Sequence, residues 1–540
     1  MKLTIILSLC AMSLFSTFCW GQTWELSETM TAVLENNVMT ISTTLDAEAM
    51  PATTWPDEYR DQIHSLVIED GVTSISSWAF AHHAYLVSVT MANSVAIIDS
   101  YAFYNCGSLS MITLPEGVTN LEHAAFKMCG SLTEIEIPAS VTSIKGEMFV
   151  ICGQLEAIHV HADNTVYSSD EGILYDKDKT VLIIYPEAKS DASYEILATV
   201  EKIEGGAFYN SKLESISIPN SVTVIGMGAF QSCNNLTSIL IPESVEDIGV
   251  GAFTACAKLT SIEVKEENKT YTSDAGILYS QDKTLLHTYP AGISGDFTVP
   301  SFVITIGNQA FSGNDLLTSV TIPNTVTAIS ESVFNNCINL KSVMLSTALT
   351  EIPDRVFNNC SSLASINIPN GVSSIGRDAF NSCFDLATIT LPFSITAIGE
   401  YAFKACTGLT KVTVEWETPL EVPDNVFEQV NTSDVTLFVP TGTASLYHDA
   451  DVWMDFDIIE YVFSGNARRD VTCYVSAWTQ NGILYITGLT PGKPLYIYNL
   501  AGQLIYSGIA KADEVRIPLV WRGVCILVAG EQHLKINCSY

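Results

Sequence analysis

Residues 132–152 read LTEIEIPASVTSIKGEMFVIC, that is Leu132-x-x-Ile135-x-Ile137-Pro138-x-x-Val141-x-x-Ile144, then Phe149 and Cys152. Side chains alternate along a strand, so Ile135 and Ile137 share one face of a short strand while Glu134 and Glu136 share the other. Pro138 ends that strand because it has no N–H to offer a ladder. Val141 and Ile144 turn inward on the return path, and Phe149 plugs the coil. A single such unit cannot cover its own apolar groups, so the pattern requires copies of itself above and below.

The copies are present. Phenylalanines fall at 80, 103, 126 and 149, then at 208, 230 and 253, then at 311, 334, 357, 380 and 403, with a degenerate last member at Phe427. A fixed spacing in the range of about 20–29 residues is the signature of a solenoid with one supersecondary turn per unit. Two intervals break the rhythm, Phe149 to Phe208 and Phe253 to Phe311, and both carry one insert. It reads Tyr167-x-Ser169-Asp170-x-Gly172-Ile173-Leu174-Tyr175 in the first and Tyr271-x-Ser273-Asp274-x-Gly276-Ile277-Leu278-Tyr279 in the second. Each continues through an Asp-Lys-Thr turn to Tyr-Pro, and β-rich runs around a polar turn predict a hairpin. Each interval therefore holds two coils, with the return path enlarged by the hairpin. Parallel strands ~4.8 Å apart in about fifteen coils give a stack on the order of 70 Å long.

The chain has 540 residues, 25 Lys and Arg against 59 Asp and Glu, and a net charge of −34. Nucleic acid and anionic membrane surfaces need a positive face, so neither is expected as a partner. A hydrophobic share of 47% argues against disorder. Met1-Lys2 followed by the apolar run Leu3–Phe18 reads as a signal peptide over residues 1–21, cut after Gly21. A lipid anchor would use Cys19, but the bulky Phe18 before it does not suit that cleavage. No later stretch reaches about 18 uninterrupted apolar residues, so no membrane insertion is expected after the leader is removed.

The middle of the chain resembles the BspA-like family of leucine-rich repeats. The resemblance rests on the block Ile-Pro-x-x-Val-x-x-Ile-Gly-x-x-Ala-Phe-x-x-Cys, clearest at residues 368–383 and 391–406, and covers residues 63–428. Residues 22–62, with Trp24, Trp55-Pro56 and Tyr59, look like that family's N-terminal cap, and residues 429–463, with Trp453-x-x-Phe456, like its closing cap. Caps are required because an uncovered end coil would expose apolar side chains and a strand edge. After a linker at 464–472 the period vanishes. Short β-rich runs at Ile483–Ile486, Leu495–Tyr498, Gln503–Tyr506, Val524–Val528 and Leu534–Ile536, separated by turn residues, predict a small antiparallel β-sandwich over 473–540. It looks like the C-terminal sorting domain of type IX secretion substrates, through Gly488-Leu489-x-x-Gly492, Ile497-Tyr498-Asn499-x-x-Gly502-Gln503 and Lys535-Ile536. The tail lacks that family's Pro-Asn-Pro start, and Cys525 replaces the usual aromatic. The expected fold is thus mainly β: a leucine-rich-repeat solenoid with two caps, then the sandwich. The two resemblances imply secretion, or display on the outer surface of a Gram-negative bacterium, with the tail engaging the secretion machinery.

Nine cysteines, from Cys106 to Cys406, recur three residues after a spine phenylalanine. The slot also holds His83, Ser211 and Asn314. Adjacent Cβ atoms ~4.8 Å apart lie beyond disulfide range, so a ladder of free buried thiols is expected. Cys473, Cys525 and Cys538 form an odd set in which a Cys525–Cys538 bridge is one pairing. Catalytic patterns are missing: there is no His-Glu-x-x-His, Gly-x-Ser-x-Gly, phosphate loop or Cys-x-x-Cys. His159-x-His161 finds no third ligand at a fixed spacing and reads as an exposed pair. Asp176-Lys177-Asp178-Lys179 fails as a calcium loop. No cofactor, metal or enzymatic activity is expected.

Surface remains. The strand positions between the apolar ones face solvent on what should be one continuous sheet, and they are rich in hydroxyls. The candidate contact residues are Thr113, Glu134, Glu136, Ser238, Thr321, Thr388 and Thr390. Thr and Ser suit any exposed strand face, yet solenoid faces are also common docking surfaces. The family resemblance implies adhesion to host extracellular-matrix proteins or other cells. A glycan-binding role would need aromatic platforms, which these strand positions lack, and a non-binding spacer is the third reading.

Overall fold

The computed structural model describes residues 21–53 and 55–461. In the tail it describes 476–480, 483–487, 489, 492–499, 503–511, 514–518, 523–529 and 532–538. The leader up to residue 20, the linker and Cys473 lie outside the described residues, as does the side chain of Cys538. The chain divides into two compact units, with the boundary between Glu460 and Tyr461.

The first unit is a solenoid of three-sided coils. One side is a parallel ladder of strands such as Glu134–Ile137 on Ala157–Val160, with Glu134 opposite Ala157. A second side is a ladder of two-residue strands, for example Ile97–Ile98, Asn120–Leu121 and Ser143–Ile144. The third side is a turn built around the phenylalanine. There the backbone is left-handed at two residues per coil, two before and two after the ring: Trp78 and His82 around Phe80, Arg355 and Asn359 around Phe357. This sets three N–H groups toward the following coil. Phe80 donates to Ala102 O at 2.8 Å, Phe103 to Ala125 O at 2.9 Å and Phe357 to Ala379 O at 2.8 Å.

These bonds hold the rings in register as an aromatic spine. Phe103 and Phe126 stack with centroids 5.5 Å apart and planes 2° apart, and Phe380 and Phe403 at 5.3 Å and 2°. The two hidden coils are marked by tyrosines: Tyr185 stacks on Phe208 at 5.2 Å and Tyr289 on Phe311 at 4.9 Å. Their N–H groups donate to Ala207 O and Ala310 O as the phenylalanines do. Sequence reading noted both tyrosines without assigning them to the spine. With the cap strands Val38–Thr43, Thr436–Pro440 and Asp457–Tyr461 the stack reaches about eighteen turns.

The caps end the spine differently. Gln22–Glu25, Met30–Glu35 and Val38–Thr43 form an antiparallel meander whose last strand pairs in parallel with Ser65–Ile68. Trp55 lies over Phe80 at 5.7 Å, and its Nε1 donates to Ala79 O at 2.6 Å. The carbonyl of Ala79 would otherwise face a coil that does not exist. Its neighbour, the Ala81 carbonyl, receives His83 Nδ1 at 3.1 Å. At the other end Trp453 and Phe456 present edges to Phe427, at 70° and 78°, so the stack stops.

The inserts divide the interior into three apolar clusters. Ile173–Asp176 is buried on both faces, with Leu174 in the preceding cluster and Ile173 and Tyr175 in the following one. The hairpin expected here carries a third strand, Val181–Ile184, which takes the place of a short second-side strand beside Lys202–Ile203. Asn164 and Asn268, both fully buried, lock the inserts. Asn164 Nδ2 donates to Pro138 O and Val141 O, and its Oδ1 accepts from Val166 N and Tyr167 N. The inserts also correct the expectation of one continuous sheet. Ile158 N–H goes to Gly172 O at the hairpin tip, and Ile262 N–H to Gly276 O. Gly172 has φ +79 and sits so close that an added Cβ would meet Ala157 Cβ at 2.7 Å. The tip occupies the place where the next coil's strand would pair.

The second unit holds two antiparallel sheets around one small core that includes Leu484, Ile486, Leu495, Ile497 and Leu527. One has Ser476–Gln480, Ile483–Thr487 and Val515–Pro518; the other has Leu504–Ile509, Pro494–Asn499, Gly523–Ala529 and Gln532–Cys538. The first and last strands of the smaller sheet were not foreseen. Cys525 is buried opposite Ile536.

All nine ladder thiols are buried and free. Each donates to the carbonyl of the preceding coil's spine residue, as Cys106 does to Phe80 O at 3.0 Å and Cys406 to Phe380 O at 3.0 Å. Burial pushes the thiols of Cys106, Cys337 and Cys406 up to about 12. Thiolate is the reactive form and all nine thiols are buried, so a disulfide-exchange reagent at neutral pH should leave them unmodified in the folded protein and label them after denaturation; rapid labelling of any of the nine in the native chain would contradict the packing. His83 yields a second expectation. Burial pushes its pKa down from 6.5 to about 4. The neutral ring is the folded form, so its stabilisation is complete above pH 6.5 and is lost as the pH falls toward 4. Such a shift is worth about 3 kcal/mol. His83→Asn, which keeps a side-chain donor, should flatten the urea midpoint between those two pH values relative to wild type; parallel pH profiles would show that His83 does not titrate this way.

Candidate binding face

The outward side chains of the first-side ladder form rows because the coils are in register. The longest unbroken stretch has eight strands, from Gly295–Thr298 through Leu317–Thr321, Ser342–Met344, Ser365–Ile366, Thr388–Leu391 and Lys411–Val414 into the closing cap. One row runs Asp296, Ser319, Ser342, Ser365, Thr388, Lys411, Thr436. Beside it lie Thr298, Thr321 and Met344, and further along Thr390, Thr413 and Phe438.

Of the candidate contact residues, this stretch brings together Thr321, Thr388 and Thr390. Thr388 and Thr390 are exposed, and Thr321 is half-buried. Thr113 is exposed at the end of Met111–Ile112, before the first insert. Glu134 and Glu136 are exposed on the strand that pairs with Ala157–Val160, the strand beside the first hairpin, and Glu134 meets His159 there at 3.7 Å. Ser238 lies opposite Ser261 on a separate two-stranded segment between the inserts. The seven residues therefore do not form one site. The N-terminal and middle segments also carry charge, with Glu263 opposite the exposed Leu240.

Local electrostatics set the ends of the long stretch. Asp296 accepts from Thr318 Oγ1 at 2.8 Å and Ser319 Oγ at 2.7 Å, which hold its carboxyl below the ordinary range. Lys411 extends over the Phe438 ring, Nζ 4.4 Å from the centroid. Between them the row is neutral and hydroxyl-bearing. Such a face offers donors and acceptors without the desolvation penalty of buried charge, which suits broad, shallow contact with a protein. Sequence reading found the hydroxyls but not the break-points: two come from the hairpin tips, and the ladder also parts between Met111–Ile112 and Glu134–Ile137 and between Ser215–Ser217 and Ser238–Ile241, where no insert lies.

Among the described residues, no group of three His, Cys, Asp or Glu is placed to hold a metal ion. His159 and His161 go to different partners, Glu134 and Asp163. No described helix is long and apolar enough to cross a membrane.

The pattern that defines the BspA type leucine-rich repeat region matches this chain in six copies, over residues 58–171, 188–277 and 294–438. A leucine-rich repeat protein of Eubacterium ventriosum is 28% identical over 67% of this chain and 95% of its own, with a TM-score of 0.45. A leucine-rich cell surface protein of Faecalibacterium prausnitzii is 27% identical over 73% of this chain and 94% of its own, with a TM-score of 0.41. The pneumococcal vaccine antigen PcpA is 18% identical over 81% of this chain and 98% of its own, with a TM-score of 0.42. No curated protein matches.

Proposed function

Because this chain belongs to the BspA type leucine-rich repeat family, we propose that it is a secreted or cell-surface protein that binds rather than catalyses. Its role is adhesion, and its partner is a protein of the host extracellular matrix or of a neighbouring cell surface. The supporting observation is the unbroken eight-stranded stretch with its hydroxyl row from Ser319 to Thr388. The rigid aromatic spine behind it fixes the spacing of that row, so little ordering is needed on binding. The tail acts as the sorting element that hands the solenoid to an export machinery.

Binding of the full chain to immobilised matrix proteins tests the adhesive role. A neutral contact should change little between about 0.05 M and 0.5 M salt. Ser365→Arg and Thr390→Arg should each weaken it by about tenfold or more, while Thr113→Arg, in another segment, leaves it unchanged. Failure of saturable binding to every protein tested would favour the spacer reading. The tail is tested separately: a chain ending at Tyr461 should be synthesised but not exported, and unchanged export would reject the sorting role.

A further inference from the structure

Five tryptophans are described in the first unit. Trp24, Trp55, Trp416 and Trp453 are buried, but Trp78 is 50% exposed. Its backbone is also unfavourable for a bulky residue. Trp78 has φ 62 and Tyr101, one coil on, φ 61, in the slot two residues before the spine phenylalanine. Three coils place Gly206, Gly228 and Gly251 in that slot and most others a small or polar residue such as Ala124, Ser332 or Asp378; a side chain there costs roughly 1–2 kcal/mol. Large rings at two successive slots are therefore retained against backbone preference, and the Trp78 ring against solvent exposure as well, while Tyr101 is half-buried.

The rings make one surface. Trp78 and Tyr101 stack at 4.3 Å with planes 15° apart. Tyr104 sets its ring at a steep angle to both, at 5.5 Å from Trp78 and 5.7 Å from Tyr101. Ala124 fills the next slot, so the surface ends there. At its rim Asn105 Nδ2 and His82 Nδ1 are 3.0 Å apart, and His123 meets the Tyr101 ring edge-on at 5.3 Å. Amide, imidazole and phenol groups each donate and accept, as vicinal sugar hydroxyls require. The neighbouring charge is negative: Asp99 lies two residues before Tyr101 and Glu122 next to His123 in the chain, and the chain carries −34 overall. That field disfavours planar anions such as nucleotides and favours the weakly positive C–H face of a pyranose against the π surface.

We propose that the turn side of the first coils, around Trp78, Tyr101 and Tyr104, is a saccharide-binding platform. It lies on a different side of the coil from the hydroxyl rows, so it stands or falls independently of protein docking there. The sequence signal was available as aromatic residues at 78 and 101, one repeat apart, but attention to the strand positions passed over it.

The test is binding of the full chain to an array of neutral, sialylated and sulfated oligosaccharides, followed by titration of the strongest responder by tryptophan fluorescence and calorimetry. Retention of a neutral oligosaccharide is expected. Trp78→Gly suits the left-handed backbone, so it should keep or raise the thermal midpoint while weakening the sugar by about tenfold or more. Tyr101→Asn, also at home in that backbone, should act alike, and Tyr401→Gly in a late coil should not. The proposal is overturned if no saccharide binds, if the bound sugar is indifferent to Trp78→Gly and Tyr101→Asn, or if the surface instead takes a proline-rich or basic peptide in a manner lost with Trp78→Gly.

Discussion

Along most of the spine the N–H of the ring-bearing residue donates to a carbonyl of the next coil, and this bond fixes the height at which the ring enters the interior. Phe334 to Val356 O at 2.9 Å and Phe380 to Ala402 O at 2.8 Å are typical. The left-handed residues on either side make the bond geometrically available. Once the heights are fixed, the rings meet face to face, the Leu and Ile rows close over them, and the thiols find the spine carbonyls. A coil removed from its neighbours would lose all four at once, which is why stacking and not local propensity carries the stability of such a chain.

Much of this was legible. Phenylalanine spacing gave the solenoid, and the same spacing applied to cysteine gave the buried thiol ladder, because both depend on a period that sequence displays directly. What stayed hidden depends on substitution or on three-dimensional reach. Tyr185 and Tyr289 occupy the spine without the expected letter. Asn164 and Asn268 recur three residues before an insert tyrosine, yet only the structure shows each amide clamping the preceding coil. The docking of Gly172 on Ala157 cannot be read from either residue alone.

That last contact also reshapes the binding face. A row of hydroxyls predicted along the whole solenoid survives intact only after the second insert, so the seven candidate residues fall into separate neighbourhoods. Thr321, Thr388 and Thr390 share a sheet; the others do not. Function on a repeat protein is thus set by where periodicity fails as much as by where it holds. The rings at 78 and 101 follow the same logic, since the phenylalanine-marked coils that come next carry Ala124, Glu147 and then Gly206 in that slot.

The turn-side bonds all run one way, from each coil's N–H to the carbonyl ahead of it. The molecule is therefore vectorial. Its first coil is left with bare acceptors, which an indole and an imidazole satisfy, and its last coil presents donors. Tandem duplication of an inner unit leaves both terminal chemistries untouched, so such a chain can lengthen or shorten by whole units through evolution. Transplanting the opening cap onto the closing end would set donor against donor.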